Sequence, residues 1–240
     1  MLEIRNMTKV YQGGKTAVSN LSLTVHEGDI FGFIGHNGAG KTTTIKAVVG
    51  IHGFDQGEIL VDGKNVCKEP LACKKVMAYI PDNPDLYEYL TGIQYLNFIA
   101  DLYEVSGADR EERIQKETKD FGIYQALGDL VSTYSHGMKQ KLAIIGALIH
   151  EPKLLILDEP FVGLDPEASL MLRQKMHGLC EKGSAIFFST HVLEVAEKLC
   201  SRIGIISEGK LMLEGDTKDL TKNKSLEDIF MEVAKHGKTD

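Results

Sequence analysis

Hydrophobic positions along the chain fall into short runs separated by glycine-rich and polar turns. Leu2-Glu3-Ile4-Arg5 and Leu21-Ser22-Leu23-Thr24-Val25 alternate with period two, the pattern of half-buried strands. Ile30-Phe31-Gly32-Phe33-Ile34, Leu154-Leu155-Ile156-Leu157 and Ala185-Ile186-Phe187-Phe188 are continuous apolar runs, as in strands covered on both faces. Two more strands are predicted at 57–64, ending in the Asp62-Gly63 turn, and at 76–80, closed by Pro81. A hairpin is expected across Glu208-Gly209, joining 202–207 to 210–213. Helical spacing appears at 44–49, stopped by Gly50, at 91–103 (Ile93, Leu96, Phe98, Ile99, Leu102) and at 138–149, before Pro152. Residues 108–119 read as a strongly charged helix with little apolar face. Ser225-Leu226-Glu227-Asp228 resembles a capping box opening a short amphipathic helix (Leu226, Ile229, Phe230, Val233), after which the last few residues are expected to fray.

Strands alternating with helices predict an α/β domain. The helical texture of 83–135 marks an insertion into a core formed by 1–82 and 136–220, leaving 221–240 as a C-terminal helix and tail. The insertion is rich in aromatics, with Tyr87 and Tyr89, near the Pro84 turn, expected to be exposed and the remainder to build the insertion's own core.

Composition changes this picture little. The 240 residues are 43% hydrophobic and 25% charged, ordinary for a globular chain. No apolar run approaches the ~20 residues that span a bilayer, and the first residues do not resemble a signal peptide. The formal charge of −7, without a long basic run, argues against a general nucleic-acid surface. Cys67, Cys73, Cys180 and Cys200 lack metal-type spacing and are expected to be free thiols of a soluble, intracellular protein.

The candidate chemistry centres on Gly35-His36-Asn37-Gly38-Ala39-Gly40-Lys41-Thr42-Thr43, which stands between a predicted strand and a predicted helix. In that setting Gly-x-x-x-x-Gly-Lys-Thr is a phosphate loop. Its glycines permit positive φ, its N–H groups form an anion nest at a helix N-terminus, Lys41 can reach β- and γ-phosphates, and Thr42 can ligate Mg²⁺. Asp158 and Glu159 follow a buried strand and so stand at the carboxyl edge of the sheet, where phosphates bind. Asp158 is expected to hold Mg²⁺ through water, and Glu159 to orient or deprotonate the attacking water. His191 ends another buried strand, placed to meet a γ-phosphate or simply to cap the strand. Asp165, followed by Pro166, reads as a helix N-cap, and Tyr11, beside Gly13-Gly14, as either a base-stacking ring or a turn tyrosine.

Tyr134-Ser135-His136-Gly137-Met138-Lys139-Gln140, shortly before Asp158-Glu159, resembles the signature motif of ATP-binding cassette ATPases. Val162-Gly163-Leu164-Asp165 resembles that family's D-loop, Ser189-Thr190-His191 its switch-histidine loop, and Tyr11 falls where the family stacks an aromatic on adenine. The resemblance implies the P-loop NTPase fold of an ABC-type nucleotide-binding domain, with an N-terminal antiparallel β part and an inserted helical subdomain. It implies ATP hydrolysis with Mg²⁺. Tyr11, Val18, Asn37, Gly38, Ala39, Gly40, Lys41, Thr42 and Thr43 would contact the nucleotide, and Ser135, Gly137 and Asp165 would complete the site. It also implies a head-to-tail homodimer or heterodimer of such domains and a separate integral membrane permease, which would hold the protein on the inner face of the membrane. Two departures are expected to affect the hydrolysis rate. His136 replaces a signature glycine, restricting positive φ there, and Asp82 stands in place of the usual Q-loop glutamine, with an oxygen toward Mg²⁺. The length and the 226–233 ending look like the multidrug and ABC-2-type exporter group; import, or action on ribosomes or DNA, are the alternatives.

Overall fold

The computed structural model describes residues 1–236; the fraying expected of the final residues concerns 237–240, outside the described residues. The chain opens with strands β1 (Leu2–Val10), β2 (Thr16–Val25) and β3 (Ile30–Ile34), helix α1 (Lys41–Val48), and strands β4 (Gln56–Val61) and β5 (Lys64–Asn65). Helix α2 (Pro70–Lys74), strand β6 (Met77–Ile80) and helices α3 (Gly92–Leu102), α4 (Gly107–Asp120) and α5 (His136–Ile149) follow. Next come β7 (Leu154–Asp158), α6 (Pro166–Glu181), β8 (Ala185–Thr190) and α7 (Leu193–Leu199). The described chain ends with β9 (Arg202–Ser207), β10 (Lys210–Asp216), α8 (Thr217–Leu220) and α9 (Leu226–His236).

Two sheets result. The first is antiparallel with order β2-β1-β4-β5; the second has order β10-β9-β3-β8-β7-β6 and is parallel except for its edge strand β10. Successive residues of a strand point to opposite faces. Phe31, Phe33, Ile156 and Phe187 therefore face the first sheet and α1, while Ile30, Ile34, Leu155, Leu157 and Phe188 face the layer of α5, α6 and α7. That explains the unbroken apolar runs: both faces are covered. Phe187 lies 5.8 Å and 5.3 Å from the rings of Phe31 and Phe33, so its truncation to alanine should cost about 3–5 kcal/mol.

Because β3, β6, β7 and β8 run in parallel, their carboxyl ends reach one edge of the sheet. The segments Gly35–Gly40, Pro81-Asp82, Asp158-Glu159 and His191 all begin there, the edge at which open α/β sheets bind ligands.

Helices α3, α4, α5, α6 and α8 start where side chains replace missing backbone acceptors. Ser135 Oγ accepts the N–H of Met138, so α5 begins at His136, two residues earlier than the hydrophobic period alone indicates. His136 is thus the first helical residue and has no positive φ; the restriction expected from replacing glycine there does not arise. The charged 108–119 pattern is α4, which buries Ile114 and Thr118 and is otherwise tied to the core by ion pairs. Lys175 of α6 reaches Glu117 and Asp120, and Arg113 reaches Glu151. Tyr87 and Tyr89 are exposed and Tyr95 is buried, but Phe98, expected in the insertion's core, is exposed as well, its ring edge-on to Tyr87 on the surface. The four cysteines are free, with Cys67 exposed and Cys73 and Cys200 buried. Among the described residues no helix is long and apolar enough to cross a membrane.

Candidate functional site

A cavity of 680 Å³ opens at the carboxyl edge of the parallel sheet. It is lined by Tyr11, by His36 to Thr43 except Ala39, and by Asp82, Asp158 and Glu159. Lys15, Thr16, Ala17 and Glu208 complete the wall.

The phosphate loop owes its shape to close packing. Gly40 has φ 111°, and a Cβ there would lie 2.7 Å from the Ala17 carbonyl oxygen, so only glycine fits. Gly38 is also left-handed, at φ 82°. The β9–β10 turn holds the loop from the side: Gly209 N–H donates to the Ala39 carbonyl at 2.9 Å. Lys41, nearly buried, donates from Nζ to the Gly35 carbonyl at 2.6 Å and to the His36 carbonyl at 3.4 Å. A buried ammonium in a glycine-rich loop at the N-terminus of α1 suits a polyphosphate.

Facing the loop, β7 delivers two carboxylates. Asp158 is buried; its Oδ1 accepts a short hydrogen bond from Ser189 Oγ, while its Oδ2 is buried with no partner among the described residues. An uncompensated buried carboxylate oxygen beside an anion site is the donor a hard divalent cation requires, and the exposed Thr42 hydroxyl shares the cavity. The residues present therefore fit Mg²⁺. Glu159 leaves the strand with φ 50°, the left-handed region, at an expected cost of about 1–3 kcal/mol. Its N–H, which donates to the Ser189 carbonyl at 3.2 Å, holds that conformation. The Oε1 of Glu159 lies 3.6 Å from Lys41 Nζ and 3.0 Å from His191 Nδ1, neither with hydrogen-bond alignment. His191 is half exposed, so one ring edge meets the carboxylate while the rest faces solvent.

Tyr11 stands at the other end of the cavity. Its hydroxyl is 3.3 Å from Thr43 Oγ1, His52 meets its ring edge-on, and Lys9 lies over the ring at 5.5 Å. Val18 is fully buried against the back of the loop near Gly40 and does not line the cavity; nor does Ala39, which is also buried. Asp82 is exposed on the cavity wall, where its Oδ1 accepts the Asn83 N–H at 2.9 Å.

Ser135, Gly137 and Asp165 do not line this cavity either. They form a second cluster. His136 lies against Gly163, where an added Cβ would stand 2.9 Å from the imidazole Cδ2. Asp165 caps α6 by accepting the Ala168 N–H at 2.8 Å and pairs with Lys141 at 2.7 Å. The Ala168 hydrogen bond, then Lys141, hold its carboxyl below the usual range.

Lys15, Thr16, His36 and Glu208 escaped the sequence reading. Glu208 looked like an ordinary hairpin turn residue, and only the folding of that turn onto Ala39 brings it to the cavity. His36 lay inside the motif, but at a position the motif leaves open.

The ABC transporter family model matches residues 18–162. An uncharacterized ABC transporter ATP-binding protein of Bacillus subtilis (strain 168), YhcH, is 40% identical over 220 residues, 91% of this chain and 71% of that protein. The SkfA peptide export ATP-binding protein SkfE of the same organism is 34% identical over 212 residues, covering 88% and 87%. A solved structure of the ATP binding subunit of an ABC transporter superposes with a TM-score of 0.94 at 33% identity, covering 98% of this chain and 99% of that one.

Proposed function

The chain belongs to the ABC transporter family and is an ATPase of that family, and from this premise we propose that it energises export through a separate membrane permease. The observation that carries the two-copy part of this reading is the separation of the two anion-binding sets. The phosphate loop, Asp158 and Glu159 share one cavity, while Ser135 and Gly137 lie outside it. A second copy, or a similar domain, placed head to tail supplies its Ser135 and the N–H groups that open α5 to that cavity. The geometry favours a dimer that closes on ATP.

Within the closed site Tyr11 stacks on the base, and the N–H groups of Asn37 to Thr43 hold the phosphates. Lys41 exchanges the Gly35 carbonyl for phosphate oxygens. Thr42 and Asp158 would hold Mg²⁺, with Asp82 as a further oxygen from the cavity wall, and the ion would offset charge on the phosphate oxygens. Glu159 takes a proton from the attacking water as the water oxygen bonds the γ-phosphorus and the bond to the bridging β–γ oxygen breaks. ADP and inorganic phosphate result. His191, beside Glu159 Oε1, orients that carboxylate. Loss of the γ-phosphate removes the charge that holds the two copies together.

A groove of 430 Å³ between α2, β6 and α3 suits a permease helix, since Ile51, Leu71 and Leu102 expose 54%, 76% and 63% of their surface there. Export is favoured over import by the likeness to SkfE, whose name places it in peptide export. The test is fractionation of cells expressing the chain with and without its permease. The proposal expects the chain in the cytoplasmic fraction when alone and on the inner membrane face when paired. Sedimentation with ribosomes or DNA in both cases would overturn it.

A further inference from the structure

The aromatic pair between the phosphate loop and the C-terminal helix belongs to neither the catalytic cluster nor the permease groove. The ring of Phe230, on α9, meets the ring of His36 with centroids 4.7 Å apart and planes at 65°, an edge-to-face arrangement. Phe230 is 8% exposed, so its ring is committed to this contact and to the core beneath. His36 lines the nucleotide cavity, and its carbonyl lies 3.4 Å from Lys41 Nζ. His36, Asn37 and Gly38 are exposed, while the backbone is pinned at the far side of that stretch, where Ala39 N–H donates to the His36 carbonyl at 3.1 Å and Gly209 N–H to the Ala39 carbonyl; the Phe230 ring is the contact the His36 side chain makes with α9.

The helix behind the ring is firmly seated. Leu226 is fully buried, and its N–H donates to Glu197 Oε2 of α7 at 3.0 Å. Ser225 Oγ accepts the Asp228 N–H at 3.2 Å and donates to its carboxylate, and Ile229 and Val233 pack against the core. Helix α7 itself starts two residues after His191. One short helix therefore touches the phosphate loop directly and braces the element that follows the switch histidine.

We propose that Phe230 is a positioning residue for the nucleotide, acting through His36 to hold the phosphate loop in its binding shape. The edge-to-face contact restrains His36, and with it the backbone on either side, before ATP arrives. A loop already ordered loses less entropy on binding. Phe230 does not line the cavity, so its effect falls on affinity rather than on the chemical step. The inference does not depend on dimer closure or on the permease, because nucleotide binding by the single chain reads it.

The experiment uses the full chain and three variants: Phe230→Leu, which keeps an apolar side chain of similar reach without the ring; His36→Ala; and the double variant. ATP affinity is measured by calorimetry, and the imidazole C–H resonances of His36 by NMR. An aromatic pair of this geometry corresponds to about a five-fold change in Kd. Phe230→Leu should weaken ATP by about that factor, raise KM accordingly, change kcat less than about two-fold, and shift the His36 resonances as the ring current is lost. In the His36→Ala background the same substitution should leave ATP affinity unchanged. As a reference, Val233→Ala should lower the melting temperature without changing Kd. The proposal is overturned if Phe230→Leu lowers only the melting temperature, or if it weakens ATP equally with and without His36.

Discussion

The Nδ1 of His191 stands 3.0 Å from Oε1 of Glu159, and Lys41 Nζ approaches the same oxygen to 3.6 Å. Glu159 is thus bracketed by two nitrogens in a site where its side chain is 16% exposed. A left-handed backbone at φ 50° aims it there. Glu159→Gln should keep ATP binding, since the phosphate loop is untouched, and slow hydrolysis by about 100-fold or more, the usual order for loss of a general base. Calorimetry with ATP and steady-state phosphate release check the two halves. Turnover at the parent rate would reassign the base.

Glu159→Gln should also accumulate as an ATP-bound dimer, visible by size-exclusion chromatography. Adding Ser135→Arg places a large cation at the start of α5, where Ser135 caps the helix. Binding of ATP by the single chain should survive, and the dimer should disappear. A dimer that persists would refute the assignment of Ser135 to the second anion-binding set.

Asp82 provides a separate test. Its carboxylate shares the cavity with Asp158 but, among the described residues, accepts only the Asn83 N–H. If it gives an oxygen to Mg²⁺, Asp82→Ala should lower kcat several-fold and weaken the Mg²⁺ dependence with little change in ATP affinity, whereas Asp82→Gln should remain active. Rates measured against Mg²⁺ concentration for the three proteins decide it. Identical curves for parent and Asp82→Ala would leave Asp82 as a solvated loop acid.

Lys175 joins α6 to α4 through Glu117 at 2.8 Å and Asp120 at 2.5 Å. Burial alone would lower its pKa, but the hydrogen bonds to Asp120 and Glu117 outweigh that and raise it. Lys175→Met leaves two partly buried carboxylates unpaired and should destabilise the protein by about 1–3 kcal/mol. Adding Glu117→Gln should recover part of the loss in thermal melts. Full additivity of the two substitutions would show that the pair is uncoupled.

His150 stacks flat on Tyr103, with ring centroids 3.6 Å apart and planes at 2°. Burial pushes its pKa down to about 4. Between its ordinary value and about 4, the unfolded chain takes up a proton that the native state refuses, so stability falls as pH drops through that window and is intact above it. The loss by pH 4 is on the order of 3 kcal/mol. His150→Phe should flatten this part of the profile, measured by denaturant unfolding between pH 4 and 7. An unchanged slope would exclude His150 as its source.

What the sequence determined unaided is local. The runs at Ile30–Ile34, Leu154–Leu157 and Ala185–Phe188 identify central strands because burial on both faces removes the polar alternation. The phosphate loop and Asp158-Glu159 were legible because glycine, lysine and carboxylate chemistry follows residue type and spacing within a few positions. Only the tertiary structure decided the rest. The pairing of β8 with β3 and with β7, strands far apart in the chain, sets His191 and Lys41 around Glu159 Oε1. The charged face of α4 found its role only when Lys175, 58 residues beyond Glu117, closed on it. Phe230 read simply as the apolar stripe of a short helix, yet it rests on the phosphate loop. Hydrophobic periodicity records which face is buried but not what covers it, because the burial energy is non-directional; the partner is chosen when the chain closes its long loops.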